Sequence, residues 1–163
     1  MDENIKALLV QARPDPSDAL RIALEEQSMD IRIARNCGEA ALALWSTSPP
    51  HLVFTEVHLA DGDWTDVLTL AGKAAAPFNV IVVAPHVDVS FYIQAIERGA
   101  FDFIVPPLSA PELLHVVRTA GESALQRRRD QTAGSPTSLP ARLLPTDVRE
   151  SEPAVARVEA RGA

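Results

Sequence analysis

Apolar and polar positions along most of the chain fall into two repeating patterns. Short runs that are apolar throughout or alternate with polar residues are typical of β-strands and occur at five places. These runs are Ile5–Val10, Asp30–Ala34, His51–Thr55, Asn79–Val83 and Phe101–Val105. The first is apolar enough for a strand buried on both faces, whereas Asp30–Ala34 alternates as an edge strand does.

Between these strands, apolar residues recur at helical spacing. Helices are predicted around Ala19–Leu24, Ala40–Trp45, Trp64–Ala75 and Val89–Glu97, and from Ser109 toward Leu125. Ser109 and Glu112 form a capping box at the start of the last helix, and Asn36 with Glu39 resembles another. Gly99 stands where a glycine commonly ends a helix.

Five strand–helix units of this length predict an α/β fold. Right-handed crossovers would place the helices on both faces of a parallel sheet. By analogy, five strands fit the flavodoxin-like, doubly wound order 2-1-3-4-5. Ligands in such folds bind outside the carboxyl ends of the strands, near strands one and three.

Charge divides the chain into two parts. Residues 1–126 carry 8 Lys and Arg against 17 Asp and Glu, whereas residues 127–163 carry 7 against 5. The second part is rich in Pro, Gly and Ser and contains no aromatic residue. We therefore expect one folded domain over 1–126 and a disordered tail over 127–163, without an output domain.

The remaining composition excludes several classes of protein. A net charge of −7 on 163 residues argues against nucleic-acid binding. No apolar run approaches the roughly 18 residues of a membrane span, so we expect a cytoplasmic protein without a membrane partner. Cys37 is the single cysteine, which excludes a disulfide framework. Its place at a predicted helix start raises the alternative of a reactive thiol.

Two segments carry a resemblance to a known family. HLVFTEVHLADGDW at 51–64 and GAFDFIVPPLSAPEL at 99–113 match, at the correct relative positions, two patterns of the response-regulator receiver (CheY-like) domain. The resemblance extends from about Ile5 to Leu125. It implies a module that is phosphorylated on an aspartate in two-component signalling or a phosphorelay.

The resemblance also implies where the phosphorylation chemistry should lie, and this chain departs from it at every such position. The acidic pair after the first strand is replaced by Gln11 and Ala12. Glu56 stands at the phosphoacceptor position, Ala84 at the hydroxyl position and Pro106 at the lysine position. The resemblance therefore indicates a degenerate member, a pseudo-receiver.

Two positions keep the family's residue type: Phe103 at the aromatic switch position, and Pro107, which in the family follows a cis peptide bond. Phe103 lacks a hydroxyl and is expected in the core. Phosphoryl transfer to a carboxylate needs Mg²⁺, which takes oxygen ligands. Because Glu56 is the single carboxylate left of three, Mg²⁺ binding should be weak or absent. We expect no catalytic residue and no enzyme activity.

Four further hypotheses concern Glu56. Its carboxylate either mimics an aspartyl phosphate or is a solvated residue at the mouth of an inactive pocket. A third possibility is phosphorylation of Glu56 itself by a non-standard route. An alternative of another class combines Glu56 with His58 and His86, two histidines that follow strands three and four, as a metal-binding or hydrolytic site.

The resulting hypothesis is a stand-alone receiver that signals through protein contacts. The resemblance implies a contact face built from the fourth helix, the fifth strand and the fifth helix (the family's α4-β5-α5 face), here roughly Val89–Leu125. The partner would be a histidine kinase, another regulator or a second copy of the chain in a homodimer.

Overall fold

The structure is a computed structural model that describes residues 4–13 and 18–134. Contacts divide the chain into two units, Met1–Arg128 and Arg129–Ala163. The sheet and the first four helices belong to the first unit. The described part of the second unit, 129–134, is helical.

One five-stranded parallel sheet forms the centre of the first unit. Its strands are β1 (Lys6–Val10), β2 (Asp30–Ala34), β3 (Leu52–Glu56), β4 (Asn79–Val83) and β5 (Asp102–Ile104). They are ordered β2-β1-β3-β4-β5, and every neighbouring pair is parallel. The predicted α/β class and the predicted flavodoxin-like order are both confirmed.

Five helices connect and follow the strands. They are α1 (Asp18–Glu26), α2 (Cys37–Leu44), α3 (Trp64–Lys73), α4 (Val89–Glu97) and α5 (Ala110–Gly134). The capping box before α5 is present, since the Ser109 N–H donates to Glu112 Oε2 at 2.8 Å. Gly99 follows α4 at a φ of 105°, a left-handed conformation that favours glycine. Within the described residues, no helix has the length and apolarity to cross a bilayer.

The sheet buries apolar residues on both of its faces because successive strand residues point to opposite sides. Leu9 and Phe54 pack with α1 and α5 residues, including Leu24 and Leu113, on one face. On the other face, Leu8, Val10, Val53 and Val80 pack with α2 and α3 residues, including Leu44 and Val67. Each such aliphatic side chain contributes about 1.5–3 kcal/mol on burial. The core therefore holds the carboxyl ends of the strands in fixed register.

Helix α5 is longer than the sequence predicts. Its predicted end near Leu125 is wrong, because the helix continues to Gly134 and includes Arg127–Arg129. The Arg127 guanidinium donates to the Phe78 carbonyl at 3.0 Å. Arg128 donates to the Pro77 carbonyl at 2.8 Å and to the Pro50 carbonyl at 2.5 Å. These bonds hold Arg127 and Arg128 beside the amino-terminal edge of the sheet. The rest of the predicted tail, 135–163, lies outside the described residues.

Candidate functional site

The carboxyl ends of β1, β3 and β4 meet at one edge of the sheet and carry three of the predicted site residues. Glu56 ends β3 and is paired with Val83 of β4. The N–H of Gln11, directly after β1, donates to the Ala34 carbonyl at 2.9 Å. Ala84, directly after β4, donates its N–H to the Ile104 carbonyl at 2.9 Å. The parallel ladder thus brings these positions together as the fold predicts.

The Glu56 side chain is directed toward the end of β1. Its Oε2 accepts a hydrogen bond from the Ala12 N–H at 2.9 Å, across 44 positions in sequence. The strand that carries Glu56 is held firmly, since Thr55 is fully buried and pairs with Val10. The half-buried carboxylate therefore ties the chain after β1 to the end of β3.

Gln11 lies beside this bond and is buried, with 1% of its surface exposed. Its side-chain oxygen Oε1 has no hydrogen-bond donor among the described residues. A buried acceptor without a donor costs about 1–3 kcal/mol, because the oxygen has lost its water. The end of β1 thus places a backbone N–H that is satisfied by Glu56, at Ala12, next to an unsatisfied side-chain oxygen, at Gln11.

The other side of the crevice offers neither a hydroxyl nor a cation at the expected positions. Ala84 is buried, with 3% exposed, and presents a methyl group. Pro106 and Pro107 follow β5 and are joined by a cis peptide bond. A phosphoryl group on Glu56 would find no Ser, Thr or Lys side chain at the positions of Ala84 and Pro106.

A short hairpin lies between β3 and α3, and the sequence patterns did not predict it. His58–Leu59 pairs antiparallel with Gly62–Asp63. Asp61 lies in the turn of this hairpin and accepts the N–H groups of Cys37 at 2.8 Å and Gly38 at 3.2 Å. These bonds lower the pKa of the Asp61 carboxyl and connect the hairpin to the first turn of α2.

Asp63 is the N-cap of α3. Its carboxylate accepts the Thr65 N–H at 2.8 Å. The Asp63 N–H in turn donates to the Asp66 carboxylate at 2.9 Å. The Thr65 hydroxyl is the main cause of a lowered pKa for Asp63. Gly62 allows this arrangement, because a Cβ there would overlap the Asp66 carboxylate. Both aspartates of this segment are therefore occupied as helix caps.

The alternative of a metal or hydrolytic site on Glu56, His58 and His86 is wrong. Within residues 4–13 and 18–134, no three His, Cys, Asp or Glu side chains are positioned to hold a metal ion. His58 lies in the hairpin opposite Asp63, and His86 is exposed in the loop before α4. Two histidines can each follow one of two neighbouring strands without their side chains converging in space.

Mg²⁺, which the receiver resemblance implies, does not fit the donors at this edge. Mg²⁺ takes oxygen ligands in near-octahedral geometry and is usually held by one or two carboxylates together with phosphates and water. Of the three positions where the family carries carboxylates, Glu56 alone keeps one, and it is bonded to a backbone N–H. Ala12 has no side-chain oxygen, and Gln11 offers a neutral one that is buried.

Cys37 is not an activated thiol, although it begins α2. Burial and the neighbouring Asp61 carboxylate raise its pKa to about 11. The thiolate is the reactive form, so this environment disfavours redox chemistry. Burial and the nearby carboxylates thus outweigh the dipole of one short helix, which contradicts the alternative drawn from the helix position of Cys37.

An aromatic cluster connects the start of α3 with α4 and β5. Trp64, 4% exposed, packs edge-on against Phe91 with ring centroids 5.3 Å apart. Phe91 contacts Phe103 at 5.4 Å, and Phe103 contacts Tyr92 at 5.9 Å. Phe103 is thus packed between two α4 rings, in an apolar cluster with Val82. Phe103 is partly buried and packs against this cluster, whereas the sequence predicted a core residue.

The outer face of α4 is apolar and exposed. Val89, Tyr92, Ile93 and Ile96 recur at the spacing of one helix face, and each has more than a third of its surface exposed. Leu114 of α5 is also exposed. A set of large apolar side chains on one solvent-facing stripe is typical of a protein contact surface.

Known proteins match most of the folded part of this chain. The sequence profile described as the response regulator receiver domain matches residues 7–118. The response regulator protein PilR of Pseudomonas aeruginosa is 33% identical over 115 residues, which are 71% of this chain and 26% of PilR. The transcriptional regulatory protein KdpE of Mycobacterium tuberculosis is 33% identical over 114 residues, 69% of this chain and 49% of KdpE. The chain thus spans about a quarter to a half of these relatives.

Solved structures agree on the fold. NtrX from Brucella abortus superposes with a TM-score of 0.68 at 26% identity, covering 80% of this chain and 30% of NtrX. The signal receiver domain of a putative Luxo repressor protein from Vibrio parahaemolyticus gives 0.67 at 22% identity, covering 77% of this chain and 95% of that domain. The beryllofluoride-activated NtrC4 receiver domain, solved as a dimer, gives 0.63 at 24% identity, covering 73% and 98%.

Proposed function

The chain belongs to the response regulator receiver domain family of two-component signal transduction, and we propose that it is a degenerate member of that family. It signals through protein–protein contacts and does not run the Mg²⁺-dependent aspartyl-phosphate cycle. It is not an enzyme and needs no metal cofactor. The single observation that carries this proposal is the bond between the Glu56 carboxylate and the Ala12 N–H.

Phosphoryl transfer is mainly a matter of position and charge neutralisation. The acceptor carboxylate must face the phosphodonor while Mg²⁺ and a cation neutralise the phosphoryl oxygens. Here Glu56 contacts the end of β1, Gln11 and Ala12 replace the acidic ligands, and Pro106 replaces the lysine. Each change removes part of the stabilisation of the transferred group, and together they disfavour the reaction. Phosphorylation of Glu56 by a non-standard route is the alternative, and intact mass spectrometry after incubation with acetyl phosphate tests it.

The contact surface in this proposal is the face of α4, β5 and α5. Its centre is the exposed stripe of Val89, Tyr92, Ile93 and Ile96. Because Phe91 and Ala95 pack inward, the stripe is presented by a helix that is anchored through its other side. The partner is a histidine kinase, another regulator or a second copy of the chain.

This proposal is tested by comparing three variants of the full chain. Sedimentation equilibrium measures self-association, and capture on immobilised protein from the native cytoplasm measures other partners. Ile93→Asp should abolish the contact, because a charge in a desolvated apolar interface is costly. Leu42→Asp, at an exposed apolar residue of α2, is the matched control and should retain it. Glu56→Gln should also retain it.

If Ile93→Asp associates as the unmodified chain does, the contact face is wrong. If Glu56→Gln alone loses the partner, the contact depends on the charge of Glu56. That result would favour the hypothesis that Glu56 mimics a phosphorylated state.

A further inference from the structure

Two polar features sit next to each other where the chain leaves β1. Ala12 donates its N–H to the Glu56 carboxylate at 2.9 Å, and the neighbouring Gln11 buries a side-chain oxygen without a donor among the described residues. The first feature stabilises the observed conformation, and the second destabilises it. Both effects act on the same short stretch of backbone.

The two contributions are of comparable size. A hydrogen bond from a backbone N–H to a carboxylate is stronger than a neutral one, and a buried unsatisfied acceptor carries a penalty of the same order. The observed conformation should therefore be close in free energy to one in which the bond is broken and Gln11 Oε1 is hydrated. A near balance of this kind is what a conformational switch requires.

The structure also indicates which part moves. Glu56 ends β3, which is paired with β1 and β4 and is buried from Leu52 to Thr55. The Gln11 N–H is held by the Ala34 carbonyl. The pivot is therefore the Gln11–Ala12 peptide, and the movement releases the Ala12 N–H.

We propose that Glu56 is a latch that closes the crevice by holding Ala12 against the end of β3, in equilibrium with an open state. This inference rests on the proposed function, because a phosphorylated Glu56 could not act as the latch. Opening exposes the oxygens of Glu56 and Gln11 together. The crevice then presents hydrogen-bond acceptors, and ligand or partner groups that carry N–H donors would favour the open state. Regulation would thus pass through a hydrogen bond at the position where the family uses phosphate.

Amide hydrogen exchange of the full chain, measured by NMR, tests the latch directly. The Ala12 amide should exchange about tenfold faster in Glu56→Ala, which removes the acceptor. Glu56→Gln retains a side-chain oxygen and should change the rate by less than about threefold. Gln11→Met removes the buried oxygen and keeps the length of the side chain, so exchange should slow by about fivefold.

Two controls separate local from global effects. Glu112→Ala removes a carboxylate that accepts a backbone N–H at 2.8 Å elsewhere, and it should leave Ala12 exchange unchanged. The amides of Val53 and Phe54, in the buried strand β3, report global opening in each variant. Rates at Ala12 are compared after correction for any change at these two amides.

An Ala12 exchange rate that is the same in Glu56→Ala as in the unmodified chain would overturn the latch. So would faster exchange in Gln11→Met, because the buried oxygen would then stabilise the closed state. Phosphorylation of Glu56 is measured separately by intact mass. A phosphorylated Glu56 contradicts the proposed function, whereas unchanged exchange contradicts the latch alone.

Discussion

The two edges of the sheet use polar side chains in opposite ways. At the amino-terminal edge, Arg128 donates to three backbone carbonyls, and the buried Asn79 donates to the Ala120 carbonyl at 2.8 Å. At the carboxyl-terminal edge, Glu56 makes a bond to one backbone N–H, and Gln11 buries an oxygen that no donor among the described residues reaches.

This difference separates stability from function within one domain. Polar groups at the amino-terminal edge complete the hydrogen bonding of loops that would otherwise bury unpaired carbonyls. The carboxyl-terminal edge instead contains one buried acceptor, Gln11 Oε1, without a donor among the described residues. Natural proteins retain such groups mainly where a site needs them. The second edge is also where ligands bind in folds of this class. The comparison predicts that substitutions at the two edges differ in both size and sign.

The largest effect is expected at Arg128. Arg128→Ala removes bonds to the carbonyls of Pro49, Pro50 and Pro77 and should lower the free energy of unfolding by about 2 kcal/mol. Urea unfolding followed by circular dichroism measures the change. Arg118→Ala is the matched control, because Arg118 is exposed and its ion pair with Glu122 should contribute less than about 0.5 kcal/mol. Equal losses in the two variants would remove the special role of the amino-terminal edge.

A change of sign is expected between two buried amides. Asn79→Leu should destabilise the fold by about 1–2 kcal/mol, because the Ala120 carbonyl loses the Asn79 side-chain donor and Arg127 loses an acceptor. Gln11→Met should instead stabilise the fold by about 1 kcal/mol, because it removes an unsatisfied oxygen. The same unfolding experiment measures both. Destabilisation by both substitutions would mean that the two edges are equivalent.

The smallest effect is a dependence on pH. Bonds from the Cys37 and Gly38 N–H groups hold the pKa of Asp61 below its ordinary value in the folded chain. The carboxylate therefore stabilises the folded state fully above its unfolded pKa, and this contribution is lost as the pH falls through the folded pKa. Asp61→Asn should flatten the loss of stability at acid pH. Arg128 stays charged throughout, so Arg128→Ala should shift the curve without flattening it.

These pH curves are measured by urea unfolding between about pH 2 and pH 7, a range set by the ordinary carboxyl pKa values. A curve for Asp61→Asn with the same slope as that of the unmodified chain would contradict the assignment of Asp61 as a charged cap of α2.

Most of the fold could be predicted from the sequence, because the signals that define it are local. The alternating and helical periodicities place all five strands and five helices, and Asn79–Val83 agrees with the observed strand to the residue. The hairpin of His58–Leu59 and Gly62–Asp63 was missed, because strands of two residues have no readable period. The end of α5 was missed because the partners of Arg128 are backbone carbonyls, and one of them lies 79 positions away.

The position of the candidate site could be predicted from the sequence, but the contacts of its side chains could not. The topology of a parallel sheet brings Gln11, Glu56 and Ala84 to one edge, and the resemblance identified those positions. Which atom the Glu56 carboxylate contacts depends on its rotamer, which no sequence pattern specifies. The metal alternative failed for a related reason, since His58 and His86 follow neighbouring strands and yet form no ligand group with Glu56 among the described residues.

The central claim is that the carboxyl-terminal edge does not run the Mg²⁺-dependent phosphorylation cycle. Incubation of the full chain with acetyl phosphate and Mg²⁺, followed by intact mass spectrometry, tests it most directly. We predict no phosphoryl group on the unmodified chain, with an active receiver domain labelled in parallel as the positive control. Stoichiometric, Mg²⁺-dependent and base-labile phosphate that disappears in Glu56→Gln would contradict the claim.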